Sequence, residues 1–251
     1  MKLEKAVLPL DFDNYVFDLY GTLVDIHTDE NQPGVWEKLA LFYGYYGASY
    51  EPEELHRRYR ALVGTMEREL KEDLQEDPRY DHEASPEIEI TQVFRTLFQE
   101  KGVEAAETLA VHAGQFFRVL ATEYVRCYPG TAEMLAALKK AGKKIYLLSN
   151  AQRIFTEYEI RTLDILKYFD DVLISSDHRV KKPDERFFQV LLERHPMEKE
   201  RTLFIGNDSR TDICGAKNVG LHTYYVNSNI SPAGDQAPDA EYIVENFTRW
   251  E

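Results

Sequence analysis

The residues best equipped for chemistry stand at the ends of short apolar runs. Asp18 closes "YVF", Ser149-Asn150 closes "IYLL" and Asn207-Asp208 closes "LFIG". Lys182 lies in "RVKKPDERF" just beyond "DVLISSD", and Asp212 follows Asp208 at a spacing of four. If the runs are parallel strands, these side chains gather beyond one edge of a sheet, where open α/β sheets bind ligands. A nucleophilic carboxylate, a hydroxyl, a cation and a carboxylate pair then share one place. That set suits phosphate chemistry. Each residue alone has a plainer reading. Ser149-Asn150 would serve as a helix cap, and Asp212 as a first-turn acid favoured by the helix dipole. Asp11 and Asp13 in "LDFDNY" read as turn and solvent, and Lys181 as a surface lysine beside Lys182. The functional reading rests on the conjunction of the four strand exits.

The elements that must position these residues follow from the hydrophobic rhythm. From Cys127 onward strands alternate with helices: "KKIYLLSN", "DVLISS", "TLFIGN" and "HTYYVN" are separated by helical stretches of crossover length. "YVFD" near the start belongs to the same set. Between about Val35 and Tyr124 the period is helical, as in Leu55, Tyr59, Leu62, Val63, Met66 and Leu70. Ser85-Pro86-Glu87 reads as a helix start, and "KEDLQEDPRYDHEAS" as a solvated connection. The expected fold is α/β: a doubly wound parallel-sheet (Rossmann-like) core of residues 1–25 plus 127–251, with an inserted all-helical cap of residues 26–126.

Composition narrows the classes of function. The 251 residues carry a net charge of −14, which disfavours nucleic acid and anionic membrane as partners. It does not exclude a small anion, because a lysine or a metal ion can reverse the field inside a cleft. Cys127 and Cys214 have no metal-type spacing and are expected as two buried free thiols. The N-terminal stretch is too short and too broken for a signal peptide or a span, so a cytoplasmic location is expected. No pattern requires more than a monomer or a homodimer.

"DLYGTLVD" resembles the first motif of the haloacid dehalogenase-like (HAD) hydrolases, commonly Asp-x-Asp-Gly-Thr. The segments around Ser149, Lys182 and "GNDSRTDICGA" are similar, in order and spacing, to the remaining three motifs. The resemblance implies that Asp18 is the catalytic nucleophile, and that Ser149, Thr22 and Asn150 hold the phosphoryl group. It implies that Lys182 links nucleophile and substrate. Asp208 falls where phosphatase-type members place a metal ligand, and Asp212 where they place its supporting carboxylate. The usual Gly-Asp becomes Gly206-Asn207-Asp208 here.

Tyr20 is the departure. In the family the second aspartate handles the leaving-group proton, a contribution typically of about 10²–10⁴ in rate. A phenol with a pKa of about 10 cannot act as a carboxylate base at neutral pH. Its main-chain carbonyl can still join Asp18 and Asp208 as an oxygen ligand of Mg²⁺. Three readings follow. The first is a Mg²⁺-dependent phosphatase acting on a small phosphorylated metabolite through an aspartyl phosphate on Asp18. The second is a metal-independent 2-haloacid dehalogenase, a branch that carries Asp-x-Tyr-Gly-Thr. The third is a weakly catalytic scaffold that binds a phospho-ligand. Asp208 favours the first, since an uncompensated carboxylate about 4 Å from another charge of its sign costs roughly 4 kcal/mol at an effective dielectric of 20. Tyr43, Tyr45, Tyr46 and the arginines Arg57, Arg58 and Arg60 of the cap read as core and solvated face, not as site residues.

Overall fold

Apolar strands three to six residues long alternate with amphipathic helices through much of the C-terminal half of the chain. A computed structural model describes residues 4–235 and 239–251. Along the chain run β1 (Glu4–Ala6), β2 (Asn14–Phe17), β3 (Val24–Thr28), α1 (Pro33–Tyr45), α2 (Pro52–Gln75), α3 (Ile90–Glu100) and α4 (Glu107–Ala121). There follow β4 (Thr122–Cys127), α5 (Thr131–Lys140), β5 (Lys144–Ser149), α6 (Arg153–Thr162), β6 (Asp171–Ile174) and α7 (Glu185–Arg194). The chain ends with β7 (Thr202–Gly206), α8 (Cys214–Asn218), β8 (His222–Val226), β9 (Tyr242–Val244) and β10 (Phe247–Trp250).

The main sheet has the order β6-β5-β2-β7-β8-β9, and every pairing in it is parallel. Its central strands are buried on both faces, which explains their continuous apolar runs. One face carries a cluster with Phe17, Leu135, Leu147 and Trp250, the other a cluster with Val16, Leu148, Phe187 and Phe204. Each fully buried Leu or Phe contributes about 1.5–3 kcal/mol. After β2 the chain passes outward through β5 and β6 and then returns to the far side of β2 as β7. The carboxyl end of β2 therefore lies at the reversal point, where such sheets open a crevice. Asp18 is the next residue.

The helices α1 to α4 bury a separate core around Trp36, Phe94, Phe98 and Phe117. Pro33 and Pro52 open α1 and α2 in the first turn, where a missing N–H costs no helix bond. These four helices hang from an antiparallel pair, β3 with β4, so the expected boundaries at 26 and 126 fall inside paired strands. Two expectations are corrected. Ser85-Pro86-Glu87 starts no helix: Pro86 bridges Val180, and α3 begins at Ile90 with the Glu89 side chain accepting from Thr91 N–H. The capping pattern was genuine chemistry on the wrong element, because tertiary pairing with the core took the segment. Cys214 is exposed and Cys127 half-buried, so the thiols are free but not both interior. Among the described residues no helix is long and apolar enough to cross a membrane.

Candidate active site

A tight turn presents Asp18 to the crevice. The N–H groups of Leu23 and Val24 both donate to Leu19 O (2.8 and 2.9 Å), and Gly21 N–H donates to Val24 O (2.8 Å). Gly21 has φ +89°, and a Cβ there would lie 2.2 Å from Asn207 Nδ2. Only glycine admits both that backbone and that approach. Asp18, Tyr20, Asn150, Lys182, Asn207, Asp208, Thr211, Asp212, Ile230 and Pro232 line one cavity of about 270 Å³.

Lys182 is its electrostatic centre. The side chain is 1 % exposed, and Nζ reaches Asp18 Oδ1 (2.7 Å), Asp212 Oδ1 (2.7 Å) and Leu148 O (2.8 Å). Burial alone would discharge the ammonium, but the two carboxylates outweigh it and hold the pKa above its ordinary value. The Asp212 pKa is also raised, to about 6, by burial and by the neighbouring Asp18 charge, against the pull of Lys182. One cation is shared by two buried acids. The other oxygen of Asp212 accepts from Asn207 N–H (3.0 Å) and Asp208 N–H (3.1 Å). Gly206 makes room for it, since a Cβ there would lie 2.4 Å from Asp212 Oδ2.

The other expected residues take distinct places. Asn150 grips the backbone of Lys182 at both ends, accepting from its N–H (2.8 Å) and donating to its O (2.9 Å). Its amide thus fixes the lysine loop, and only part of its surface reaches the cavity. Ser149 is fully buried, and its Oγ has no hydrogen-bond partner among the described residues. Thr22 Oγ1 sits 3.5 Å from both Asp18 Oδ2 and Asn207 Oδ1, the outer limit of a hydrogen bond. Asp208 Oδ1 caps the turn that follows β7, accepting from Arg210 N–H (2.8 Å) and Thr211 N–H (3.1 Å). Tyr20 faces the cavity, but its hydroxyl points away into a buried cluster. Oη donates to Glu159 Oε2 at 2.5 Å and lies 3.0 Å from Thr156 Oγ1. Burial, and then the Glu159 charge, raise the phenol well above its ordinary pKa.

Asn207 lines the cavity as its strand-exit position predicts, and three further cavity residues were not singled out from the sequence: Thr211, Ile230 and Pro232. Ile230 and Pro232 follow β8, whose exit "YYVNSNISP" obeys the same strand-end rule as the others. No cap residue lines the cavity. Tyr43 is buried with its hydroxyl on Phe94 O (2.8 Å), Tyr45 is 83 % exposed, and Arg58 pairs with Glu100.

The donor set is suited to a hard cation. Three carboxylates share the cavity, and among the described residues lining it Lys182 is the only cation. No three acidic, histidine or cysteine side chains of the described residues cluster closely enough to hold a metal by themselves. A cation here would draw on carboxylate oxygens together with the Tyr20 carbonyl and water, the ligand type that Mg²⁺ prefers.

Sequence comparisons agree with the geometry. The chain is 33 % identical over 109 residues to a glyceraldehyde 3-phosphate phosphatase of Methanothermobacter thermautotrophicus, covering 43 % of this chain and 48 % of that one. It therefore spans about half the length of such relatives. A phosphoglycolate phosphatase of Vibrio cholerae is 28 % identical over 89 % of both chains. An (S)-2-haloacid dehalogenase of Burkholderia cepacia is 26 % identical over 86 % of this chain and 84 % of its own. The sequence profile of the haloacid dehalogenase-like hydrolases matches residues 12–220, from before the Asp18 turn to beyond Asp212. With the parallel sheet, the helical insertion and four strand exits meeting at Asp18, the chain belongs to the haloacid dehalogenase-like hydrolases.

Proposed function

We propose that the protein is a Mg²⁺-dependent phosphatase acting on a small phosphorylated metabolite, with Asp18 as nucleophile. The observation that carries this reading is the charge of the cavity: Asp18, Asp208 and Asp212 face a single buried ammonium. A phosphate dianion entering that field is repelled unless a divalent cation accompanies it. When bound, Mg²⁺ held by Asp18, the Tyr20 carbonyl and Asp208 supplies charge neutralisation at the phosphoryl oxygens.

The protein's own groups do the rest. Lys182 occupies Asp18 Oδ1, which leaves Oδ2 as the attacking oxygen. A bond forms from Oδ2 to phosphorus as the ester P–O bond breaks, and the departing alkoxide takes a proton from water. Water then attacks the aspartyl phosphate and releases inorganic phosphate, regenerating Asp18. In this reading the Ser149 hydroxyl, which has no partner among the described residues, would donate to a phosphoryl oxygen. Tyr20 does not deliver the leaving-group proton, because its hydroxyl is committed to Glu159. Esters with acidic leaving groups should therefore be turned over far faster than simple alkyl esters.

One observation favours a second reading. Halide leaves without a proton, so a tyrosine in the second motif position costs a dehalogenase nothing, and a dehalogenase relative aligns over most of the chain. The two readings part on metal. Turnover of p-nitrophenyl phosphate that requires Mg²⁺ and is lost in Asp18→Asn and Asp208→Asn is the expected result. Halide release from 2-chloropropionate without metal, with no phosphatase activity, would overturn it in favour of the dehalogenase. Inactivity on both, with phosphate still bound, would leave the scaffold.

A further inference from the structure

The cluster that takes the Tyr20 hydroxyl has no part in the chemistry described above, yet it is built from buried charge. Glu159, on α6 of the core, has a side chain 7 % exposed; it accepts from Tyr20 Oη at 2.5 Å and from Arg118 Nε at 2.7 Å. Arg118 is a cap residue, 19 % exposed at the side chain, near the end of α4. Its guanidinium also lies 5.6 Å from the centre of the Tyr20 ring and 5.3 Å from that of Phe155. The surroundings are apolar: Phe116, Val119, Ile154, Phe155 and Tyr158 wall an adjoining cavity of about 390 Å³ that also reaches Arg118 and Glu159. A buried ion pair in such a place is no more stabilising than well-packed apolar side chains, so stability alone does not account for it.

Connectivity does. The helix α4 runs into β4 without a loop, β4 pairs with β3, and β3 starts at Val24, which bridges Tyr20 across the nucleophile turn. The cap therefore reaches residues 20–24 by two routes. One is main chain, through β4 and β3. The other is side chain, through Arg118, Glu159 and Tyr20. The two routes close on the turn that aims Asp18.

We propose that Glu159 is a positioning residue: with Arg118 it couples the seating of the cap to the nucleophile turn, using the Tyr20 phenol as a mechanical link. The inference rests on the hydrolase reading for its kinetic arm and on the structure alone for its conformational arm. The side-chain route is broken by Tyr20→Phe, which keeps the ring, and by Arg118→Met. An apolar pair, Arg118→Met with Glu159→Leu, breaks the same route without leaving a buried charge unpaired. Each change should lower kcat by about tenfold to a hundredfold, as misplaced reacting groups do, with KM little altered because phosphate binding lies elsewhere. Combining Tyr20→Phe with Arg118→Met should cost no more than either alone, and Arg118→Lys should recover part of the loss.

Hydrogen exchange supplies the arm that needs no turnover. The amides of residues 18–24 should exchange faster in each variant, while those around Lys182 keep their protection. Losses that multiply in the double variant, or exchange at residues 18–24 that matches the wild type, would overturn the proposal. A fall in thermal stability with kcat of the folded protein unchanged would overturn it too. A wild type without phosphatase activity would instead count against the phosphatase reading, with exchange at residues 18–24 still deciding this one.

Discussion

Ser149 and Tyr20 differ in how their hydroxyls are satisfied. The Ser149 hydroxyl is buried and unpartnered, a condition that costs roughly 1–3 kcal/mol in a folded protein. In the proposed phosphatase reading a phosphoryl oxygen would satisfy the group and offset that cost. Ser149→Ala should therefore melt at a temperature equal to or above the wild type, while KM for p-nitrophenyl phosphate rises about tenfold, the worth of one hydrogen bond of about 1.4 kcal/mol. A variant that is less stable and binds substrate normally would show that the hydroxyl is structural. Tyr20 makes the complementary point. Its hydroxyl is satisfied away from the cavity, so in the proposed reaction its share would come through the main chain and through the placement of the turn.

At the scale of elements, the cap segment between α2 and α3 is docked onto the core. Gln152 donates to Glu87 Oε1 and to Ile88 O (both 2.9 Å) and accepts from Ile90 N–H (2.9 Å), and Ser175 donates to Glu87 Oε2 (2.9 Å). Burial raises the Glu87 pKa above its ordinary 4.5, against the opposing pull of Lys181. A raised carboxyl pKa means the folded state holds the proton more tightly than the unfolded chain. Its contribution is thus fully present below pH 4.5 and declines as pH rises through the elevated value. In melts from pH 4.5 to 8, the wild type should lose stability relative to Glu87→Gln as pH rises; a constant difference would show that Glu87 does not titrate there. The loop after β8 is the other decisive element. Asn229 donates to Asp25 Oδ1 (2.9 Å) and accepts from Tyr128 Oη (2.5 Å), which fixes Ile230 against the cavity. Ile230→Ala should raise kcat/KM for bulkier phosphate esters relative to p-nitrophenyl phosphate, and an unchanged ratio would remove Ile230 from substrate selection.

The sheet packs a hydrophobic cluster on each face, the cap helices form a third, and the β3–β4 pair, the Pro86–Val180 bridge and the Gln152 and Glu159 contacts are among the links between cap and core. Of the core helices, α6 shares side chains with the cap, since Phe155 belongs to the cap cluster. Charge acts at this scale as well. Three carboxylates around one ammonium repel one another in the folded state, so a cation that binds only the folded state should raise the melting temperature. Occupancy at a hundredfold excess over Kd is worth about 2.7 kcal/mol. Mg²⁺ should therefore shift the wild-type melt upward by several degrees and leave Asp208→Asn unmoved. Equal shifts in both would place the cation elsewhere.

The α/β class, the helical insertion and the gathering of Asp18, Lys182, Asp208 and Asp212 on one cavity were legible in the hydrophobic periods and strand exits. Period-two and period-3.6 patterns are local, and parallel strands carry their terminal residues to a common edge whatever the loops do. Tertiary structure alone decided the direction of the Tyr20 ring, the pairing of Glu159 with Arg118, the docking of residues 84–90 and the approach of Ile230. Each of these joins segments far apart in the chain, where a pairing depends on how the two cores settle on one another and leaves no periodic trace in either segment. Ser85-Pro86-Glu87 shows the limit most plainly: its local preference for a helix start was overridden by a partner at Val180.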